Sequence, residues 1–156
     1  MERSVTFLNA AYIKLKAAEQ MTYFTFDIAR DNRLLIKILH EIYASALNIM
    51  NAALQYEQEA GHIYLSEDAD RNLQLFRNKC AARFRITAEE LTVLDEIRLL
   101  MGKHKESPFE FVRKEQFVIV SNTFETETIT LPQITGYLVS VQRIMRKISS
   151  ILLSKH

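Results

Sequence analysis

Thirty residues, from Asp31 to Ala60, run without a glycine or a proline. They carry apolar side chains at Leu35, Ile38, Leu39, Ile42, Tyr43, Ala46, Leu47, Ile49, Met50, Ala53, Leu54 and Tyr56. The three- and four-residue steps predict one long helix. Its apolar arc covers about half the helical circumference, more than a single packing neighbour can bury. A helix of this kind belongs at the centre of a bundle, with one thin polar strip left over.

The flanking segments supply the neighbours. Apolar residues Val5, Leu8, Tyr12, Leu15, Ala18, Met21, Phe24 and Ile28 predict a first helix from about Ser4 to Ile28. Asp31 is placed to cap the second helix, and Gly61 to close it in a left-handed conformation. Ser66 is expected to open a third helix with the stripe Ala69, Leu73, Phe76, Cys80 and Phe84. The sequence "TAEE" at 87–90 is a capping box that starts a fourth, carrying Leu91, Leu94, Ile97 and Met101 and stopping near Gly102. The cleanest periodicity comes last: Ile134, Leu138, Val141, Met145, Ile148 and Leu152 alternate steps of four and three over about Leu131 to Leu153.

Between the fourth and last helices the pattern changes. "SPFE" at 107–110 reads as a short helical turn, with Ser107 as cap and Pro108 at the first helical position. "QFVIVSNTFETETITL" is rich in β-branched and aromatic residues and predicts a hairpin pairing about 117–121 with 126–130. The expected fold is therefore mainly all-α: an antiparallel five-helix bundle with a small β-hairpin, about 117–130, before its last helix. Three glycines and two prolines in 156 residues fit few tight corners, and no linker or repeat divides residues 1–156 into more than one domain.

Composition narrows the function classes. A formal net charge of +1 gives no bulk attraction to a polyanion, so a nucleic-acid partner would need a local patch. The opening "MERSVTFLNAAYIKLK" puts an acid and a base ahead of any apolar run, so no signal peptide is expected, and no window is apolar enough to span a bilayer. One cysteine forms no internal disulfide, which fits a cytoplasmic protein. Gly-rich phosphate loops, nucleophile elbows and paired-cysteine zinc spacings are absent. No cofactor is expected.

The polar strip of the second helix holds the most suggestive chemistry. Arg33 and His40 lie seven residues apart, close to two turns, and share the strip with Lys37, Ala44, Asn48, Asn51 and Gln55. An arginine holds a phosphate through two hydrogen bonds, and a histidine titrates near neutral pH. Read from the residues alone, the strip is a solvated surface or an interface. The helical pattern also resembles the HEPN superfamily, whose nuclease members carry an arginine, four to six residues, then a histidine facing a dimer cleft. "RLLIKILH" at 33–40 is similar to the longest form of that motif, and "FLNAAYIKLKAAEQM" resembles the alanine-spaced first helix of such domains. The resemblance implies phosphate contact for Arg33, catalysis for His40, and metal-independent RNA cleavage.

Four other groupings carry an expectation. Arg143, Arg146 and Lys147, with Lys155 beyond them, form an acid-free basic run on the last helix and are the candidate nucleic-acid contacts. Arg71, Arg77, Lys79, Arg83 and Arg85 form a second run. "EAGH" at 59–62 has the Glu-x-x-His spacing of di-iron bundles but lacks a second copy, His62, His104 and His156 are dispersed, and Cys80 lies on an apolar stripe; no metal site is expected. "MTYFTF" at 21–26, with Phe109, Phe111 and Phe124, has ring surface for the core or for a subunit contact, and an unpaired hairpin edge invites strand addition. The reading is a cytoplasmic helical regulatory or interaction domain, a homodimer with a protein or RNA partner and no membrane contact. Its alternative is a HEPN-like endoribonuclease using Arg33 and His40.

Overall fold

The computed structural model describes residues 2–154. Lys155 and His156, named above for charge and ligand type, lie outside the described residues. Five helices and one small sheet follow in chain order. Helix α1 covers Glu2–Gln20 and continues through a π-helical segment, Met21–Thr25, into Phe26–Ala29. Helix α2 is Leu34–Glu59, and α3 is Ala69–Leu75 extended by a π-helical segment, Phe76–Cys80. Helix α4 is Ala88–Glu106 and α5 is Leu131–Leu153, separated by strands β1 (Phe109–Arg113), β2 (Gln116–Val120) and β3 (Thr126–Thr130).

Helix α2 is the spine. Leu35, Ile38, Leu39, Ile42 and Ile49 are completely buried beneath α1, α5, α3 and α4. Each such side chain withdrawn from water contributes about 1.5–3 kcal/mol. The Ser45 hydroxyl donates to Ala11 O at 2.8 Å, stitching α2 to α1 where both helices present small residues. Gly61 closes the helix with φ +80°, as its position after the last apolar residue requires. At the other end Arg33 occupies the cap position, and the Asp31 side chain accepts the Arg33 amide at 3.0 Å.

Helix α1 buries Leu8, Leu15 and Ala18 as its spacing predicts, but the rest of its buried face differs from the expected stripe. Ser4, Leu8, Ala11, Leu15, Ala18, Thr22 and Phe26 turn inward, whereas Tyr12, Phe24 and Ile28 are exposed. Two causes act together. Ala11 and Ala18, both 0% exposed, let α1 approach α2 closely, so small residues outcompete Tyr12 for the seam. Second, the steps of four and three that Leu8, Ala11, Leu15 and Ala18 begin continue through the π-helical segment to Thr22 and Phe26, which keeps those two on the core side. The Thr22 hydroxyl donates to Ala18 O at 2.7 Å inside that widened turn.

Three further local expectations are corrected. Asp68 caps α3, accepting the amides of Asp70 and Arg71, while Ser66 is tied into the preceding turn by Asn72. Helix α4 passes through Gly102 and ends at Glu106. The segment expected to open a helical turn at Ser107 is instead strand β1, because residues 109–113 find a pairing partner in β2. Ser107 is extended, with φ −67° and ψ 128°. The sheet is therefore three antiparallel strands in the order β1-β2-β3, not a hairpin. The β2–β3 half of it has the expected pairing, with Phe117 opposite Ile129.

Alternation gives the sheet two distinct faces. Phe117, Ile119 and Ile129 point into the helical core, in line with Glu110 and Val112 of β1 and Glu127 of β3. Phe109, Phe111, Arg113, Val118 and Thr128 share the outer face. Helix α5 then packs as its periodicity requires: Ile134, Leu138, Val141, Met145, Ile148 and Leu152 are all buried, joined by Tyr137 and Ile144. The Thr87–Glu90 capping box at the start of α4 is formed in both directions.

Candidate functional site: a histidine pair beside strand β1

The polar strip of α2 is open to water only at its beginning. Arg33, Lys37 and His40 are exposed, while Ala44, Asn48, Asn51 and Gln55 are half-covered by neighbouring helices. Arg33 sits outside the first helical turn and makes a forked contact with Asp31. Its Nε lies 3.0 and 3.1 Å from the two carboxylate oxygens, and its Nη2 lies 2.8 Å from Oδ2. Hydrogen bonds from Arg33 hold the Asp31 carboxyl below the usual carboxylate range. That fork takes up the Nε–Nη2 edge of the guanidinium and leaves the Nη1 side of an exposed arginine facing water.

His40 has other company. Its ring meets the His104 ring edge to face, with centroids 5.1 Å apart and planes at 86°. His104, in the last turn of α4, places Nδ1 2.6 Å from Glu110 Oε2 on the helix-facing side of β1. Partial burial and then the neighbouring His104 push His40 below the usual imidazole value, against the opposing pull of Glu41 and Glu110. A neutral imidazole at His40 accepts a proton, and the Glu110 carboxylate fixes the orientation of the second ring. The structure thus assembles His40, His104 and Glu110 from three elements, while Arg33 is engaged with Asp31. No spacing in the sequence pointed to His104 and Glu110, because their meeting depends on 109–113 being a strand.

The basic runs are partly engaged by acids. Arg143 and Arg146 are exposed on α5. Lys147 is not in the same situation: its Nζ lies 2.6 Å from Glu90 Oε1 and 2.9 Å from Arg85 O, bracing α5 against the start of α4. Burial raises the Glu90 carboxyl, but hydrogen bonds from Lys147 and the Thr87 amide outweigh it and leave the group below its ordinary value. In and around α3, Arg77 pairs with Asp95 and Arg98 with Asp70. Arg83 lies 3.7 Å from the buried Glu57 carboxylate.

The histidine of "EAGH" also finds a different acid. His62 Nδ1 lies 2.5 Å from Glu57 Oε2, five residues back along the chain, and Glu57 is only 2% exposed. Nearby, burial followed by the Glu57 charge drives the Cys80 thiol up to about 12, so it stays protonated and inert. Among the described residues no group of three His, Cys, Asp or Glu side chains is arranged to hold a metal ion.

Two of the surface concavities lie between helices. One, of about 280 Å³, opens between α2, α3 and α4 over Tyr43, Leu47, Met50, Phe76 and Leu94, with the Arg77–Asp95 pair on its rim. The other, of about 590 Å³, is a shallow, mostly apolar groove between α1 and α5, bordered by Tyr12, Lys16, Met145, Arg146 and Leu153. No helix among the described residues is long and apolar enough to cross a membrane. Comparison with protein-family models, with curated proteins and with solved structures gives no match for this chain.

Proposed function

We propose that this chain is a helical regulatory or interaction domain that acts by binding a protein or nucleic-acid partner. One observation carries the reading: α1 has a second apolar face that nothing among the described residues covers. Ile13 is 66% exposed, Phe24 67% and Ile28 84%, with Tyr12 and Tyr23 half-exposed on the same helix. Isolated exposed apolar residues are ordinary, but several large ones along one helix are a feature of interaction surfaces. The exposed Arg143 and Arg146 support a nucleic-acid partner at a separate site on α5.

A second reading, a HEPN-like metal-independent endoribonuclease, is favoured by the contact of His40 with the His104–Glu110 pair. One experiment separates the two. Labelled single-stranded RNA is incubated with the chain in EDTA and followed for cleavage and for binding. The interaction-domain reading expects intact RNA, with any binding lost on Arg143→Glu and Arg146→Glu and protein capture lost on Phe24→Ser with Ile28→Ser. Cleavage that His40→Ala abolishes without moving the melting temperature replaces it with the nuclease reading.

A further inference from the structure

Strand β1 is an edge of the sheet, and its residues Phe109, Val112 and Arg113 are exposed, at 58% and 40% for the two apolar ones. Its main-chain pattern follows from the register. Arg113 and Gln116 close a two-residue turn, so they form a doubly hydrogen-bonded pair, and the alternation continues with Phe111–Val118 and Phe109–Val120. The amides and carbonyls of Glu110 and Val112 therefore point away from β2, toward the open edge. An unsatisfied edge of this kind templates another strand.

We propose that β1 pairs antiparallel with β1 of a second copy of this chain, about a two-fold axis at Phe111, to make a continuous six-stranded sheet. A two-fold axis normal to the sheet keeps each face on its own side, so opposed residues must come from the same face. Centring the axis on Phe111 meets that condition and sets Glu110 opposite Val112 of the second copy. Those are the residues whose main-chain groups point outward, and the two symmetric pairs supply four hydrogen bonds. On the outer face Phe111 meets its own counterpart. Phe109, already packed on Phe111 with ring centroids 5.5 Å apart, comes opposite the second copy's Arg113, an aromatic ring against a guanidinium. The apolar row that Val118 begins, a residue 4% exposed although it lies outside the helical core, then runs unbroken across the axis.

The arrangement also bears on the histidine cluster. Glu110 faces the helices, and the two copies of Glu110 become diagonal neighbours, about 7–8 Å apart at the backbone. Each is engaged by its own His104, and each His104 touches a His40. Two such clusters then flank one axis. The contact goes beyond the partner-binding reading and stands on a different surface, so losing a partner at α1 leaves it untouched.

The test is a cysteine placed on the axis. Residues directly opposite in a non-hydrogen-bonded antiparallel pair have Cα atoms about 4.5 Å apart, within disulfide range. In the full chain, Phe111→Cys is expected to convert to a disulfide-linked dimer under mild oxidation. Thr128→Cys, exposed in the same row of the outer face but two strands away, is expected to stay monomeric. The native Cys80 is buried and does not compete. Light scattering of the unsubstituted chain should give twice the 18.2 kDa mass. Val112→Pro removes an outward amide at an edge position where proline is tolerated, and should return the mass to that of the monomer with an unchanged circular dichroism spectrum. A monomer at the highest soluble concentration, a dimer indifferent to Val112→Pro, or equal cross-linking at 111 and 128 overturns the proposal.

Discussion

Replacing Lys147 by methionine keeps the length and most of the apolar stem of the side chain but removes the ammonium. In the folded chain that ammonium meets the Glu90 carboxylate at 2.6 Å and Arg85 O at 2.9 Å. The Glu90 side chain is 8% exposed and that of Lys147 31%. Breaking a fully buried pair costs about 3–5 kcal/mol and losing one charge-assisted hydrogen bond about 1.5–3 kcal/mol. Because water reaches the lysine, the lower range applies, and the expected loss is about 2 kcal/mol. For a domain of this size that lowers the melting temperature by about 4–8 °C. Glu90→Gln and the double variant complete a cycle whose coupling should be about 1–2 kcal/mol. The dependence on pH has a definite sign. A carboxyl held below its unfolded value contributes fully above that value, here 4.5, and loses its contribution as pH falls through the folded value. The gap between the native chain and Lys147→Met should therefore hold from neutrality down to about pH 5 and close below it. Calorimetry at neutral and acid pH reads both effects. A variant with unchanged melting temperature but weakened RNA binding would show that Lys147 is a ligand contact after all and refute the bracing role.

Two shorter predictions concern the connections and the histidine pair. Gly61 holds φ +80° with open space around a would-be Cβ, so Gly61→Ala carries only the left-handed backbone penalty of about 1–2 kcal/mol, read as a lowered urea midpoint. His40 is held below its unfolded value of 6.5, so its contribution is full above that value and is lost as pH falls through the folded one. Nuclear magnetic resonance should therefore give a depressed His40 titration that returns toward 6.5 in His104→Ala, the removal of one of its two causes.

Much of the fold follows from spacing that any reader of the chain can see. The broad arc of α2, the seam of α5 and the Thr87–Glu90 box translate directly, because each depends on periods and caps set within one segment. The failures come where a neighbour decides. On α1, both Tyr12 and Ala11 are apolar, and period alone does not choose between them; close approach to α2 does, in favour of the smaller residue. The expected stripe joins Phe24 and Ile28 to Ala18, yet at 3.6 residues per turn both lie well away from the face that Ala18 and Thr22 bury, and both are exposed. The five residues of β1 alternate too briefly to be told from a helical start, and their identity is settled by pairing with β2.

The candidate site was less legible than the fold for a related reason. A sequence gives the charge of a side chain but not the partner that cancels it. Arg33 and Lys147 were singled out from helical position alone, and each turns out to face a carboxylate, one through a fork onto the two oxygens of Asp31 and one across the bundle at Glu90. His40, taken from the same reasoning, gains rather than loses chemical interest on folding, because β1 carries Glu110 to the end of α4 and fixes His104 beside it. The same short strand that escaped detection therefore sets both the histidine cluster and the open edge next to it. Any activity at His40 and any association through β1 are consequently coupled by geometry. A substitution that unpairs β1 from β2 should release the His104 ring along with the edge.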